Sequence, residues 1–230
     1  MNPEQHRQAI ESIARGMGAV LFGVADLGDV SDASGEVPLS GLTTGISFAF
    51  RLSDVVLEGI TDHPTRTYQY HYRQVNLLLD QIGLRIAAHI QASGFRVFPV
   101  PSSQIVDWEN LKGHVSHRAI GRLAGLGWIG RNNLLVNPRY GARLRYATVL
   151  TDLVLPADGP MDDGCGSCRR CVAACPGGAI GDSPETFDLD KCINTIDTIR
   201  KKPNIGSHIC GICIKACAGK CDYRANGDTQ

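Results

Sequence analysis

CGSCRRCVAACP, residues 165–176, decides how the rest of the chain is read. It sets Cys165, Cys168, Cys171 and Cys175 at x2, x2 and x3 spacings and closes on Pro176. In this iron–sulfur run, three closely spaced thiolates hold one [4Fe–4S] cluster and the fourth ligates a second. A tight loop can offer three sulfurs to three corners of a cube, while the fourth corner needs a ligand from elsewhere. Pro176 stops the next turn from folding back and so directs Cys175 away from its neighbours.

The missing ligands should lie downstream. Cys192 stands alone, and Cys210, Cys213 and Cys217 follow in CGICIKAC. Crossover ligation assigns Cys165, Cys168, Cys171 and Cys217 to one cluster, and Cys175, Cys192, Cys210 and Cys213 to the other. Zinc sites favour two paired CxxC or HxxxH units over a three-Cys run closed by Cys-Pro. Disulfides need an oxidising compartment, which nothing in the sequence suggests. The ninth cysteine, Cys221, is either a free thiol or a competitor of Cys217, because Cys217 is followed by Ala218 and not by proline.

All nine cysteines of the 230 residues fall after residue 164. That break places a boundary in the turn-rich stretch PADGPMDDG (156–164), giving an α/β domain over 1–156 and a small cysteine domain over 157–230. Lysine plus arginine and aspartate plus glutamate both number 23. Such a balance carries no electrostatic footprint for nucleic acid. Arg139, Arg143, Arg145 and the Arg200–Lys202 run read as solvated surface. No apolar run approaches the roughly 18 residues of a membrane helix, and the first residues show no signal peptide; a cytoplasmic location is expected.

Asn2, Pro3 and Gln5 form a capping-box start for a helix over 2–16, with Ile10, Ile13, Ala14 and Met17 on its buried face. Residues 19–25 and 44–50 read as strands, the first buried on both sides, and 27–42 as loop. Val75, Leu79, Ile82, Ala87 and Ile90 predict a long helix over 65–93 capped by Gly94. Tyr68, Tyr70, His71 and Tyr72 on its first turns form either an ordinary half-buried face or the wall of a cofactor pocket. Residues 95–100 read as a strand and 116–124 as a helix. Residues 134–136 and 144–150 read as a hairpin around NPRYG.

Ala124–Gly141 reads AGLGWIGRNNLLVNPRYG. Gly125, Gly127 and Gly130 permit close backbone approach, although their spacing is not the dinucleotide fingerprint. With TVLTDLVLP and the double-cysteine motif, this block resembles epoxyqueuosine reductases, which share a fold with cobalamin-dependent reductive dehalogenases. The resemblance covers roughly residues 5–217, loosely before Phe95 and closely after Ala124. It implies an α+β chain: a nitroreductase-like domain that binds cobalamin, then a ferredoxin-like module with two [4Fe–4S] clusters. It also implies glycines at 125, 127 and 130 that face a planar ring.

The family's catalytic acid stands in a short Asp-containing segment just after the strand matching Phe95–Val100. Here that segment is PVPSSQ, with Pro99, Pro101 and Ser102 in the region. Asp107, His114 and His117 are the candidate replacements, set against ordinary surface or core roles. The tRNA-modifying enzymes carry a further helical-repeat region, while this sequence ends soon after Cys221, so nucleic acid is not expected as a partner. Three functions follow. The first passes electrons through two clusters to a corrinoid or other acceptor in the N-terminal domain, supplied by a donor such as a ferredoxin or flavodoxin. The second is a carrier or reductive activator of a corrinoid protein, without chemistry of its own. The third is a true epoxyqueuosine reductase.

Overall fold

A computed structural model describes residues 1–28, 36–162 and 164–219. Cys221 and part of the 27–42 loop lie outside the described residues. In chain order the elements are α1 (Pro3–Gly16), β1 (Leu21–Asp26), β2 (Thr44–Arg51), α2 (Asp54–Glu58), α3 (Arg66–Ala92) and β3 (Val97–Val100). They continue as α4 (His117–Leu123), β4 (Trp128–Ile129), β5 (Leu135–Val136), β6 (Leu144–Thr151), α5 (Arg170–Ala174), α6 (Leu189–Ile199) and α7 (Ile212–Ala216). The class is α+β.

The described residues form two compact units. The first draws on Met1–Arg51, Gln74–Leu126 and Arg145–Met161; the second on Leu52–Arg73, Gly127–Leu144 and the residues from Asp162 onward. This differs from the single cut expected after residue 156. Cysteine loops bury little apolar surface of their own, and a small domain needs a core. Segments 52–73 and 127–144 supply it. The expected linker is also partly tied down: Asp158 N donates to Val24 O at 2.8 Å, and Val24 N donates to the Asp158 carboxylate at 2.9 Å. Arg7 pairs with the same carboxylate at 3.0 Å.

The first unit is built on a four-stranded sheet in the order β1-β2-β6-β3. β1 pairs antiparallel with β2, from Leu21↔Ala49 to Asp26↔Thr44, and β3 pairs antiparallel with β6. The central residues of β1, β2 and β6 are buried in unbroken runs, the pattern of strands covered on both faces. α1 starts on a reciprocal capping box between Asn2 and Gln5, both bonds 2.9 Å. α3 buries Leu79, Ile82, Ile86 and Ile90 and ends before Gly94 at φ +86°. Gly23 is required by the packing of this unit, since a Cβ there would strike the Ala124 carbonyl.

The expected hairpin of 134–136 with 144–150 does not form. β5 pairs with β4, through Trp128↔Val136 and Ile129↔Leu135, while β6 joins the large sheet. NPRYG still turns sharply: Asn137 bridges Gly141, and Asn137 Oδ1 accepts from the amides of Arg139 and Tyr140. The turn closes locally, and its flanking strands find different partners.

Candidate metal centre

The second unit places Cys171 and Cys213 on two short helices that pack together, α5 and α7, and Cys192 on α6. Gly166, at φ +49°, lets the first loop turn, and Cys168 N donates to Cys165 O at 3.0 Å. Cys171 lies within α5. Cys175 leaves it in an extended conformation, as the residue before a proline should. α7 repeats the device, with Cys213 inside the helix and Cys217 as its C-cap. On each helix, cysteines four apart therefore part company.

The thiols influence one another in two sets. Burial first, and then the charges of Cys165 and Cys168, raise the pKa of Cys171. Burial raises Cys217, with Cys171 and Cys165 adding to it. On the other side, burial and then Cys175 raise Cys192. Cys210 is pushed up to about 11 by burial, with Cys192 and Cys175 contributing. Cys213 is raised by burial most of all, then by Cys210 and Cys192 and more weakly by Cys171 and Cys175. Cys171 is thus a point of approach between the sets. Cys168 differs: it is exposed, and the Arg170 amide and guanidinium hold its thiol below the usual value.

A cavity of about 660 Å³ has Cys165, Cys168, Cys171 and Cys217 in its wall, together with Trp128, Val136 and Asn132. Trp128 and Val136 belong to an apolar cluster with Ala142, against which Cys165 and Cys217 pack. Arg131 ties the loop down, donating to Cys168 O at 3.0 Å and Gly166 O at 2.8 Å. Ala142 N donates to Cys217 O at 3.0 Å, and Gly141 lies so close to that carbonyl that no Cβ would fit. Around the other set, Gly211 (φ +84°) sits between Cys210 and Cys213. A Cβ there would come within 2.6 Å of Ile60 and 2.7 Å of Tyr68. Tyr68, almost fully buried, is therefore a wall of the Cys210 loop, while Tyr70 points to solvent. His71 accepts from Ser53 N at 3.0 Å, and burial lowers its pKa.

The donor chemistry fits iron–sulfur clusters. All eight described cysteines are free of disulfides. Thiols that resist ionisation when buried become favourable ligands once a cationic centre takes their charge. Among the described residues, Asn132 Nδ2 is buried without a protein partner beside the first set, a donor that the sulfides of a cluster would satisfy. Among the described residues, no three His, Cys, Asp or Glu side chains close around the position of a single ion.

The glycines of the 124–141 block are required by packing within the protein. A Cβ on Gly127 would run into the Val136 carbonyl, one on Gly125 would meet Gly159 O at 2.7 Å, and one on Gly130 would meet Val136 at 2.6 Å. Their open sides are filled by the protein itself. At these three positions the side-chain direction is taken up by the protein's own packing.

The candidate proton donors, all in the first unit, are engaged. Asp107 caps a small turn, accepting from the Asn110 amide at 3.0 Å and the Asn110 side chain at 2.8 Å. Those bonds hold its carboxyl below the usual range, so it is ionised at neutral pH. His117 Nε2 faces the Pro101 carbonyl at 3.1 Å, which can only accept, so that nitrogen carries the proton and Nδ1 accepts from Thr148 Oγ1 at 2.9 Å. Burial pushes its pKa down to about 4. His114 is buried edge-on to Phe98 at 5.3 Å. Ser102 is buried too, its amide bonded to Asp80 and its hydroxyl to Asn76 O. Arg145 closes this network, donating to Asn76 Oδ1 at 3.0 Å and Ser102 O at 3.2 Å. The sequence signalled Asp107, His114 and His117 but not this Asn76–Asp80–Ser102–Arg145 lock.

No family model matches the chain. An epoxyqueuosine reductase of Leadbetterella byssophila is 36% identical over 145 residues, which cover 62% of this chain and 42% of that protein. Among solved structures, a reductive dehalogenase described as suggesting a mechanism for B12-dependent dehalogenation superposes with a TM-score of 0.74 at 22% identity, covering 94% of this chain and 32% of that one. An epoxyqueuosine reductase crystallised with an epoxyqueuosine-modified tRNA stem loop gives 0.62 at 21% identity, covering 94% of this chain and 65% of that one. The fold is thus that of the reductive dehalogenases and epoxyqueuosine reductases. In sequence the chain is epoxyqueuosine reductase-like, and it spans about two fifths of the curated relative named above.

Proposed function

We propose that this chain is an iron–sulfur oxidoreductase whose second unit binds two [4Fe–4S] clusters and passes electrons to a corrinoid or other acceptor. The first cluster is held by Cys165, Cys168, Cys171 and Cys217, the second by Cys175, Cys192, Cys210 and Cys213. The observation that carries this reading is geometric: eight cysteines without disulfides lie in one compact unit, and Cys165, Cys168, Cys171 and Cys217 share the wall of one cavity. When bound, each cluster supplies one-electron transfer at a potential set by charge, hydrogen bonds and exposure. The protein's own residues desolvate the ligands, leave Cys168 at the surface, and bring Cys171 towards the second set. Arg131, Arg169 and Arg170 flank the Cys168 end, where a ferredoxin or flavodoxin would deliver electrons.

The engaged proton donors favour a second reading, a carrier or reductive activator. Asp107 is ionised and His117 is neutral with both ring nitrogens engaged, so on this reading a corrinoid acceptor would arrive on a partner protein. One similar structure carries a tRNA stem loop, so balanced net charge does not by itself exclude a nucleic-acid ligand. No helix among the described residues is long and apolar enough to cross a membrane.

Anaerobic reconstitution tests the cluster reading. Two clusters require about eight irons and eight sulfides per chain. A reproducible value near four removes the second cluster, and zinc in place of iron ends the proposal. Incubation with cobalamin, followed by gel filtration and a spectrum, separates the two acceptor readings: a retained corrinoid supports the first, its absence the carrier.

A further inference from the structure

We propose that Trp128 and Asn132 are a two-donor cradle that raises the reduction potential of the cluster held by Cys165, Cys168, Cys171 and Cys217. The inference rests on the two-cluster reading above, and it gives the GLGWIGRNN block a role that the ring-binding expectation does not.

Trp128 is 5% exposed, and its indole Nε1 donates to Cys165 Sγ at 3.3 Å. That sulfur stands for a cluster-bound thiolate, and the indole N–H can only donate. The ring is fixed from several sides. Its six-membered edge lies against Gly164, where a Cβ would come within 2.6 Å, and it packs on Val136 and Ala142. Behind it, Gly127 lets β4 approach the Val136 carbonyl more closely than any side chain would allow. The glycines thus serve the tryptophan, and the tryptophan serves the sulfur.

Asn132 is the second donor. It is 3% exposed and lines the same cavity as the four cysteines. Its Oδ1 accepts from Leu134 N at 3.4 Å, which fixes the amide, and its Nδ2 has no acceptor among the described residues. A buried donor left without a partner is costly, and native proteins rarely keep one. The inorganic sulfides of a cluster are acceptors that would come with it. Reduction adds one electron from an external reductant, breaks no bond and moves no proton. It increases the negative charge on the sulfurs, so N–H groups directed at them favour the reduced form.

The test is an EPR-monitored redox titration of the fully reconstituted protein with dithionite. Trp128→Phe and Asn132→Leu should each move one cluster's midpoint to more negative potential and leave the other unmoved, with a larger shift in the double variant. Trp108→Phe, at an exposed position, should move neither. Replacing Trp128 by benzothienylalanine keeps the ring size and removes only the N–H, and should reproduce the Trp128→Phe shift. Unchanged midpoints at full iron content would overturn the inference, as would failure of the benzothienylalanine protein to hold its cluster, which would make the residue structural. If the parent protein assembles no clusters, the two-cluster reading itself has failed.

Discussion

On the proposed two-cluster reading, single residues decide how the cysteines are shared. Cys217 sits where burial, Cys171 and Cys165 act on its thiol together, and its carbonyl is pinned by Ala142. Cys217→Ser should therefore strip a corner iron from one cluster and leave a three-iron form, visible by EPR of the oxidised protein. Cys221→Ser should leave the cluster spectrum unchanged; equal losses from both substitutions would show the fourth ligand to be misassigned. His117 gives a second residue-scale prediction. Its folded pKa of about 4 lies below the ordinary 6.5, so between those values the unfolded chain binds more protons than the folded one. Stability due to this neutral imidazole is complete above pH 6.5 and is lost as pH falls towards 4. Between pH 7 and 5 the loss should be on the order of 2 kcal/mol. Denaturation midpoints of wild type and His117→Asn at the two pH values measure it, and an equally steep acid dependence in the variant would count against the assignment.

At the scale of elements, the β4–β5 ribbon does more than its two residue pairs suggest. A Cβ at Gly127 would strike the Val136 carbonyl, so Gly127→Ala must prise the ribbon apart and carry Trp128 away from Cys165. The expected result is loss of the first cluster with the second retained, read as a fall in iron from about eight to about four per chain. Retention of both clusters would show that the ribbon does not hold Cys165 in place. Nothing in the sequence gave this away. The cysteine spacing is local and needs no fold to be read, while α3 was legible because its apolar stripe repeats over many turns. The capping box of α1 was equally local. The glycines told only that something comes close; what comes close is Val136 or Gly159, set by pairing between distant segments. The false hairpin has the same origin, since β6 gains more by joining the large sheet than by pairing with two residues of β5. α5 and α7, five residues each, are too short to show any helical period.

For the whole molecule, the question is which reaction the delivered electrons can complete. Expelling oxygen from an epoxide requires a proton as the oxygen leaves, and removing a positioned acid typically costs on the order of 10²–10⁴ in rate. The segment where the resemblance implies an acid reads PVPSSQ, and its Ser102 is bound on three sides by Asp80, Asn76 and Arg145. Asp107 is ionised and committed to its own turn, and His117 is neutral with both ring nitrogens engaged. A corrinoid needs no such donor to be reduced, because the electron goes to the metal. The expected outcome is therefore split. Free cobalamin or a corrinoid protein should be reduced by the reconstituted chain with dithionite or a reduced flavodoxin, followed as the cob(I)alamin spectrum. The same protein should restore little or no queuosine to the tRNA of a strain lacking its own epoxyqueuosine reductase. Full restoration would overturn the assignment of these groups as engaged, and Asp107→Asn and His117→Asn would then show which of them moves to supply the proton. Failure of both assays with eight irons present would leave the electrons to an acceptor that is neither corrinoid nor epoxide, and would remove the corrinoid from this account.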